Sequence, residues 1–358
     1  MKKRLWLNVG LTAVIIATGC AADPQVKEIK KPESTANINI VAPVTAPSDK
    51  VKLEWKFFKD NTYKYKMTQE MISNTSEPTM GEQKMAMKQE INYSQKVMGV
   101  NENGAGILET TYNTVNLNAD IPMLGKIKFD STNPEDIATL DNSDPAPQKM
   151  LFRPFMVMLG KKLTVNMDKS GQVIEVKGIS ELMDELLKGN ERFADQIKAS
   201  FNEKWYTSLM TQANTRLPGA IVAKGESWTN ETEIPVPMAG NIKLAIKSTY
   251  MGSEIYNNRN CARIDDQITL SFNLEQLQQL GDKVKIEWSN NNGIRKTYFD
   301  FQVGQVIKSE ANMRLTMDVT IKSASSQDEG VNNDPNQMPP EMKIKNDIFI
   351  NTTLELQE

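Results

Sequence analysis

Histidine is absent from this chain of 358 residues. With it go the commonest general base and the commonest metal ligand. No Ser-His-Asp triad can be assembled, and no Gly-x-Ser-x-Gly elbow or glycine-rich phosphate loop occurs. There are two cysteines, Cys20 and Cys261, so zinc-ligand spacing is missing too. Charge of one sign is not in excess: 42 basic residues stand against 45 acidic, a formal net charge of −3. That argues against nucleic acid as a partner and against a basic surface that docks on membranes. No cofactor motif is present. The apolar run at the start is shorter than the roughly 20 residues of a membrane-spanning helix.

What is present begins at that run. Lys2, Lys3 and Arg4 precede a mostly apolar stretch from Trp6 to Ile16, then Ala17, Thr18, Gly19 and Cys20. A charged start, a short apolar core and small residues before a cut describe a secretory signal. Ala17-Thr18-Gly19-Cys20 resembles the lipobox of bacterial lipoproteins, although Ala17 stands where Leu, Val or Ile is usual. The resemblance implies cleavage after residue 19 and acylation of Cys20 with diacylglycerol and a further fatty chain such as palmitate. Ala21 follows the cysteine where inner-membrane retention often uses Asp, which points to the outer membrane. Residues 20–50 then read as a lipidated flexible tether, a coil with ends about 30 Å apart.

Beyond the tether the dominant period is two. Tyr63, Tyr65 and Met67 alternate with polar neighbours, as do Met85, Met87, Gln89, Ile91 and Tyr93. Similar runs follow, and in one of them Ala262, Ile264, Asp266, Ile268 and Leu270 share a phase. These read as half-buried antiparallel strands. LTVNM, DKSG and QVIEV, from Leu163 to Val176, read as a hairpin with Asp168 and Gly171 in its turn. Helical spacing appears at Ile179, Leu182, Met183, Leu186 and Leu187, and again at Phe193, Ile197, Phe201, Trp205 and Leu209. Period two then returns, with a disordered loop expected near 323–341 and a closing strand after it.

Gly-Gln-Val-Ile occurs at 171–174 and at 304–307, each time after a strand and an Asp-containing turn. We read from this an internal duplication. The expected class is α+β, mainly antiparallel β. Two similar curved, half-barrel-like sheet halves, 51–178 and 215–358, would be joined by a helical segment at 179–214.

VNMDKSGQVIEVKGISELMDELL, then AKGESWTNETEIPVP and the strand Ser248-Thr249-Tyr250, resemble a family of exported bacterial proteins known only as a domain of unknown function. The tyrosine-rich Asp60-Asn61-Thr62-Tyr63-Lys64-Tyr65 fits as well. The resemblance implies no activity and no catalytic residues.

Carboxylate pairs at Glu135-Asp136 and Asp265-Asp266 are the only hint of hydrolase chemistry. Asp141-Asn142-Ser143-Asp144 and Asp168-Lys169-Ser170-Gly171 offer oxygen ligands without the spacing of a calcium loop, and read as turns. With Cys20 lipidated, Cys261 is left without a partner and reads as a small core residue.

Methionine is the compositional signal, with 20 in the chain. It is flexible and polarisable, and adaptable apolar-binding surfaces overuse it. The candidate ligand-facing residues are therefore Tyr63, Tyr65, Met67, Met85, Met87, Met313 and Met317. Two functions follow, ranked ahead of a third, a hydrolase acting on envelope polymers through carboxylates. One is a non-catalytic, lipid-anchored protein of the cell envelope binding an apolar ligand or envelope component on a concave sheet. The other is a structural lipoprotein whose methionines fill a core and whose outside meets a protein partner.

Overall fold

The fold comes from a computed structural model that describes residues 50–78, 81–122, 124–138, 156–187, 207, 214–236, 240–273, 284–322 and 341–357. In chain order the strands are β1 (Lys50–Lys52), β2 (Thr62–Glu77), β3 (Gly81–Val100), β4 (Gly106–Ile121) and β5 (Gly125–Asp130). The short helix α1 (Pro134–Ala138) precedes β6 (Lys162–Met167), β7 (Val173–Lys177) and the helix α2 (Ile179–Leu187). Then come β8 (Ile221–Ala223), β9 (Ser227–Val236), β10 (Gly240–Tyr256) and β11 (Arg259–Asn273). Last are β12 (Val284–Asp300), β13 (Gln305–Lys322) and β14 (Glu341–Gln357).

Twelve strands form one antiparallel sheet in the order β7-β6-β4-β3-β2-β14-β13-β12-β11-β10-β9, with β5 sharing the edge of β4 with β6. Alternation explains why these segments are strands. In β14, Met342, Ile344, Ile348 and Ile350 are buried while Lys343, Lys345 and Asn351 are exposed. The two expected halves are thus two meanders of a single sheet, not two separate sheets. β2 and β14 would each be left with a bare edge in a separate half, and they pair with one another from Lys64↔Gln357 to Ser76↔Lys345.

The sheet is bent, and one short segment shows it. Trp55 N donates to Lys169 O in the β6–β7 turn at 2.8 Å, and Lys56 N donates to Gly304 O in the β12–β13 turn at 3.3 Å. Those turns belong to strands six positions apart in the sheet, about 29 Å if it were flat. Consecutive residues reach both, so the sheet curls round its inner face. Trp55 Nε1 also donates to Thr215 O, and its ring meets Phe299 edge-on with centroids 5.6 Å apart.

Two apolar clusters occupy the inner side. The one around Trp55 joins α2, the β6–β7 hairpin, Leu217, Tyr250, Ile264, Phe299 and Val306. α2 contributes Ile179, Leu182, Met183 and Leu186, four positions read from helical spacing. The other cluster lies toward the opposite end of the strands and holds Met71, Met87, Leu117, Ile268, Met313, Met317 and Ile350. The second helical run of the expected central segment lies outside the described residues, as do Cys20, its tether and nearly all of the expected loop at 323–341.

Candidate functional site

The register places all seven candidate residues on the inner face. Met71 pairs with Met87 and with Ile350, which pairs with Met313. Met67 and Tyr65 keep the phase of Met71 along β2, and Met85 that of Met87 along β3. Tyr63 follows at the next inward position, and Met317 lies two inward positions beyond Met313. Their burial differs. Tyr65, Met87, Met313 and Met317 are closed off, whereas Tyr63, Met67 and Met85 are half-buried.

Tyrosines continue the surface sideways. The Tyr65 and Tyr93 rings stack with centroids 5.4 Å apart, and Tyr93 and Tyr112 are 6.0 Å apart. Burial pushes the phenols of Tyr65 and Tyr93 above the ordinary tyrosine range, so both rings are neutral at physiological pH. Tyr65 Oη donates to Gln305 Oε1, and Gln305 Nε2 in turn donates to Lys56 O. The rim of this surface is thereby fixed to the Trp55 segment.

A lateral row of polar residues crosses the same face. Gln89 pairs with Gln69, Gln69 with Thr352, Thr352 with Ala311, Ala311 with Arg295, Arg295 with Asp266 and Asp266 with Ser248. Gln89 Nε2 donates to Gln69 Oε1 at 2.7 Å, and Gln69 Nε2 to Thr352 Oγ1 at 3.3 Å. Arg295 Nε donates to Asp266 Oδ2 at 2.5 Å, with both side chains buried. Gln89 and Asp266 stand in the inward phase of the sequence pattern. Arg295 carries no such mark, since its partner is set by strand pairing alone.

The outer face is charged. Lys66 pairs with Glu90, Lys88 with Glu70, and Arg314 makes two bonds to Asp347. Burial works against ionisation of Asp347, yet bonds from Arg314 and Thr316 outweigh it and hold the carboxyl below its usual range. An apolar inside and a charged outside reverse the pattern of a lipid-embedded barrel wall.

The other candidates resolve into structural roles. Asp265 and Asp266 point to opposite faces, as consecutive strand residues must, and bind Arg263 and Arg295 respectively. Asp136 accepts from the Asp130 amide while Glu135 is exposed. Asp168 Oδ1 accepts from Ser170 N, Ser170 Oγ and Gln172 N, which is turn chemistry. Residues 141–144 lie outside the described residues. Cys261 is fully buried and free, and burial together with nearby Asp300 pushes its thiol up to about 12. Among the described residues no group of three His, Cys, Asp or Glu side chains stands ready for a metal ion, and no helix is long and apolar enough to cross a membrane.

Against known proteins, residues 103–326 match a family described as a family of unknown function, DUF6263. No curated protein matches. Among solved structures, lipovitellin, studied for its lipid–protein interactions, aligns with 85% of this chain at 10% identity and a TM-score of 0.40. The chain spans only 26% of that protein's length. A candidate outer membrane lipoprotein-sorting domain from Vibrio parahaemolyticus aligns over 82% of this chain and 85% of its own, at 10% identity and a TM-score of 0.12. OccK11 of Pseudomonas aeruginosa covers 86% and 99%, at 7% identity and 0.18. At these scores none of the three supports an assignment of task.

Proposed function

We propose, for a chain that belongs to the DUF6263 family and so inherits no assigned activity, that it is a lipid-anchored envelope protein holding an apolar ligand inside its bent sheet, without catalysis. One observation carries this reading. Half-buried Met67 lies on the inner face between Tyr65 and Gln69, both closed off on the same strand. Half-buried Tyr93 and Tyr112 extend the uncovered surface across β3 and β4. Uncovered apolar area on an inward face loses contact with water when a hydrocarbon chain covers it, at about 25 cal/mol per Å². Methionine and tyrosine adapt to such a chain without needing a fixed shape.

The reading keeps the two meanders as a duplicated pair, with Gly171 and Gly304 at equivalent turns gripping adjacent residues of one segment. Acylation of Cys20 would hold the body at the outer membrane.

A second reading has its own support. Met313 and Ile350 on the same face have no exposed surface at all, as in a filled core. On that reading the protein is a scaffold whose charged outer face meets an envelope protein.

Native mass spectrometry of the protein purified from membranes separates the two. A lipid mass carried in addition to the anchor supports ligand binding. A clean mass of polypeptide plus anchor supports the scaffold.

A further inference from the structure

The end of the sheet that holds Trp55 carries most of the apolar side chains left in solvent. Register and the clamp together fix which turns lie there. Gly106 pairs with Met167, which sets the β3–β4 turn beside the β6–β7 turn whose Lys169 O accepts from Trp55 N. Cys261 pairs with Asp300, which sets the β10–β11 turn beside the β12–β13 turn whose Gly304 O accepts from Lys56 N. Exposed Met98, Val100, Ile107 and Ile174 sit at the strand ends that flank the first two turns. Exposed Phe58 joins them where Asp60 N donates to Val97 O at 2.8 Å. On the other side, exposed Ile255 adjoins the β10–β11 turn. Exposed Met251 and Ile221 stand nearby, where Gly225 N donates to Tyr250 O at 2.7 Å. Among the described residues the other exposed large apolar side chains are Ile72, Ile137 and Ile294, which lie along the strands or on α1. Apolar side chains gathered in one region, rather than scattered singly, mark a surface that meets a partner.

We infer that the Trp55 end rests on the surface of a phospholipid bilayer, with this apolar fringe seated among the headgroups and the far ends of the strands turned away. The inference rests on the proposed lipid anchor and goes beyond it by giving the body an orientation. Chain order supplies the first argument. Lys50 opens β1 and pairs with Ala223, so the chain enters the sheet at this end, and residues 20–49 lead from Cys20 to it. An anchor at residue 20 therefore draws on this end and not on the far one. Shape supplies the second. The fringe is spread over the Phe58 segment, β3, β4, β7, β8 and β10, which suits a broad, soft surface. Composition supplies the third. Exposed Lys50, Lys52, Lys59, Lys169 and Lys224 stand at the same end, against exposed Asp60, Glu102 and Glu226. Lysine lays its stem along apolar surface and sends its ammonium to the phosphates. With acids present as well, burial of the apolar side chains, not charge, supplies most of the attraction.

Three variants of the full chain, purified from membranes, test the orientation: Ile174→Cys and Ile221→Cys on the fringe, and Ile294→Cys as the control. The native side chains are 59%, 68% and 54% exposed, so the three differ in place and little in exposure. Ile294 lies six residues from the end of β12 at Asp300, about 20 Å along the strand. Cys261 is fully buried, so a thiol-reactive fluorophore goes to the introduced cysteine. Each labelled protein is reconstituted on vesicles of phosphatidylethanolamine and phosphatidylglycerol that carry a nitroxide high on the acyl chain. Quenching at 174 and 221 should exceed that at 294 about threefold or more, and 1 M salt should leave it unchanged. Ile255→Cys replaces either fringe position if that variant fails to melt as wild type.

Flotation of the same samples reads the anchor by itself. Protein that floats with the vesicles but is quenched equally at all three positions, or at none, overturns the docked orientation and leaves the anchor standing. Stronger quenching at 294 lays the body on its side and also overturns the orientation. Quenching at 174 and 221 that salt abolishes makes the contact electrostatic and overturns the apolar fringe as its cause. Protein that does not float at all overturns the anchor, and the orientation falls with it.

Discussion

Trp55 and Lys56 are held against two glycines, Gly171 and Gly304 respectively, where a larger residue would collide with them. Gly171 has φ +84°, and a Cβ there would sit 2.5 Å from Trp55 Nε1 and 2.7 Å from Thr215 O. Gly304 has φ +68°, and its Cβ would sit 2.4 Å from the Lys56 backbone nitrogen. Backbone cannot rotate out of the way as a side-chain tip can. Gly125 provides the control, since its φ is +76° but no atom lies within 4 Å of a Cβ there. Gly125→Ala should therefore cost only the left-handed strain, about 1–2 kcal/mol. Gly304→Ala should add displacement of the 55–56 segment and cost roughly 3 kcal/mol or more. Urea denaturation of both variants checks this, and equal losses would mean that the segment does not clamp the bend. At this scale the sequence was partly legible. The inward phase exposed Gln89 and Asp266 as polar residues facing a core, and repetition marked both Gly-Gln-Val-Ile turns. That those turns meet at Trp55 was not legible, because Lys169 and Gly304 come together only through the curl of the whole sheet.

Among the elements, local ones were readable and distant ones were not. The β6–β7 hairpin closes through Asp168 and Gly171 within a few residues, and α2 shows its buried stripe directly. The seam between β2 and β14 joins residues such as Gln69 and Thr352 across 283 positions, and no periodicity reports a pairing of that range. Yet this seam makes one sheet of two meanders. Ile344, Ile348 and Ile350 on β14 belong to the same apolar cluster as Met71 and Met87 on one side and Met313 and Met317 on the other. Ending the chain at residue 340 removes all three and bares the facing edges of β2 and β13. The truncated protein should lose cooperative unfolding and fall to limiting protease along both meanders. Circular dichroism during heating gives the readout. A truncated chain that still melts in one sharp step near the wild-type temperature would show that each meander stands as its own half, as the duplication first suggested.

For the whole molecule, charge and curvature act on different surfaces. The bend gathers methionine, tyrosine and the polar row inside, while paired lysines, arginines and carboxylates cover the outside. Among the described residues this exterior carries ion pairs where the wall of a lipid-embedded barrel carries apolar side chains. Nor does net charge draw the body to an anionic surface: without Lys2, Lys3 and Arg4 the basic residues fall to 39 against 45 acidic. On the reading proposed above, attachment to a membrane comes from hydrocarbon added at Cys20, where each buried methylene contributes about 0.8 kcal/mol and two or three chains make the attachment stable. Cells fed labelled palmitate should therefore incorporate label into the wild-type chain and none into Cys20→Ser. Membranes carrying the wild type should keep it through a 1 M salt wash, because salt screens charge and leaves hydrocarbon burial intact. Label that persists in Cys20→Ser, or a wild-type chain stripped by salt, would put the attachment elsewhere and leave the charged exterior to be explained by a protein partner.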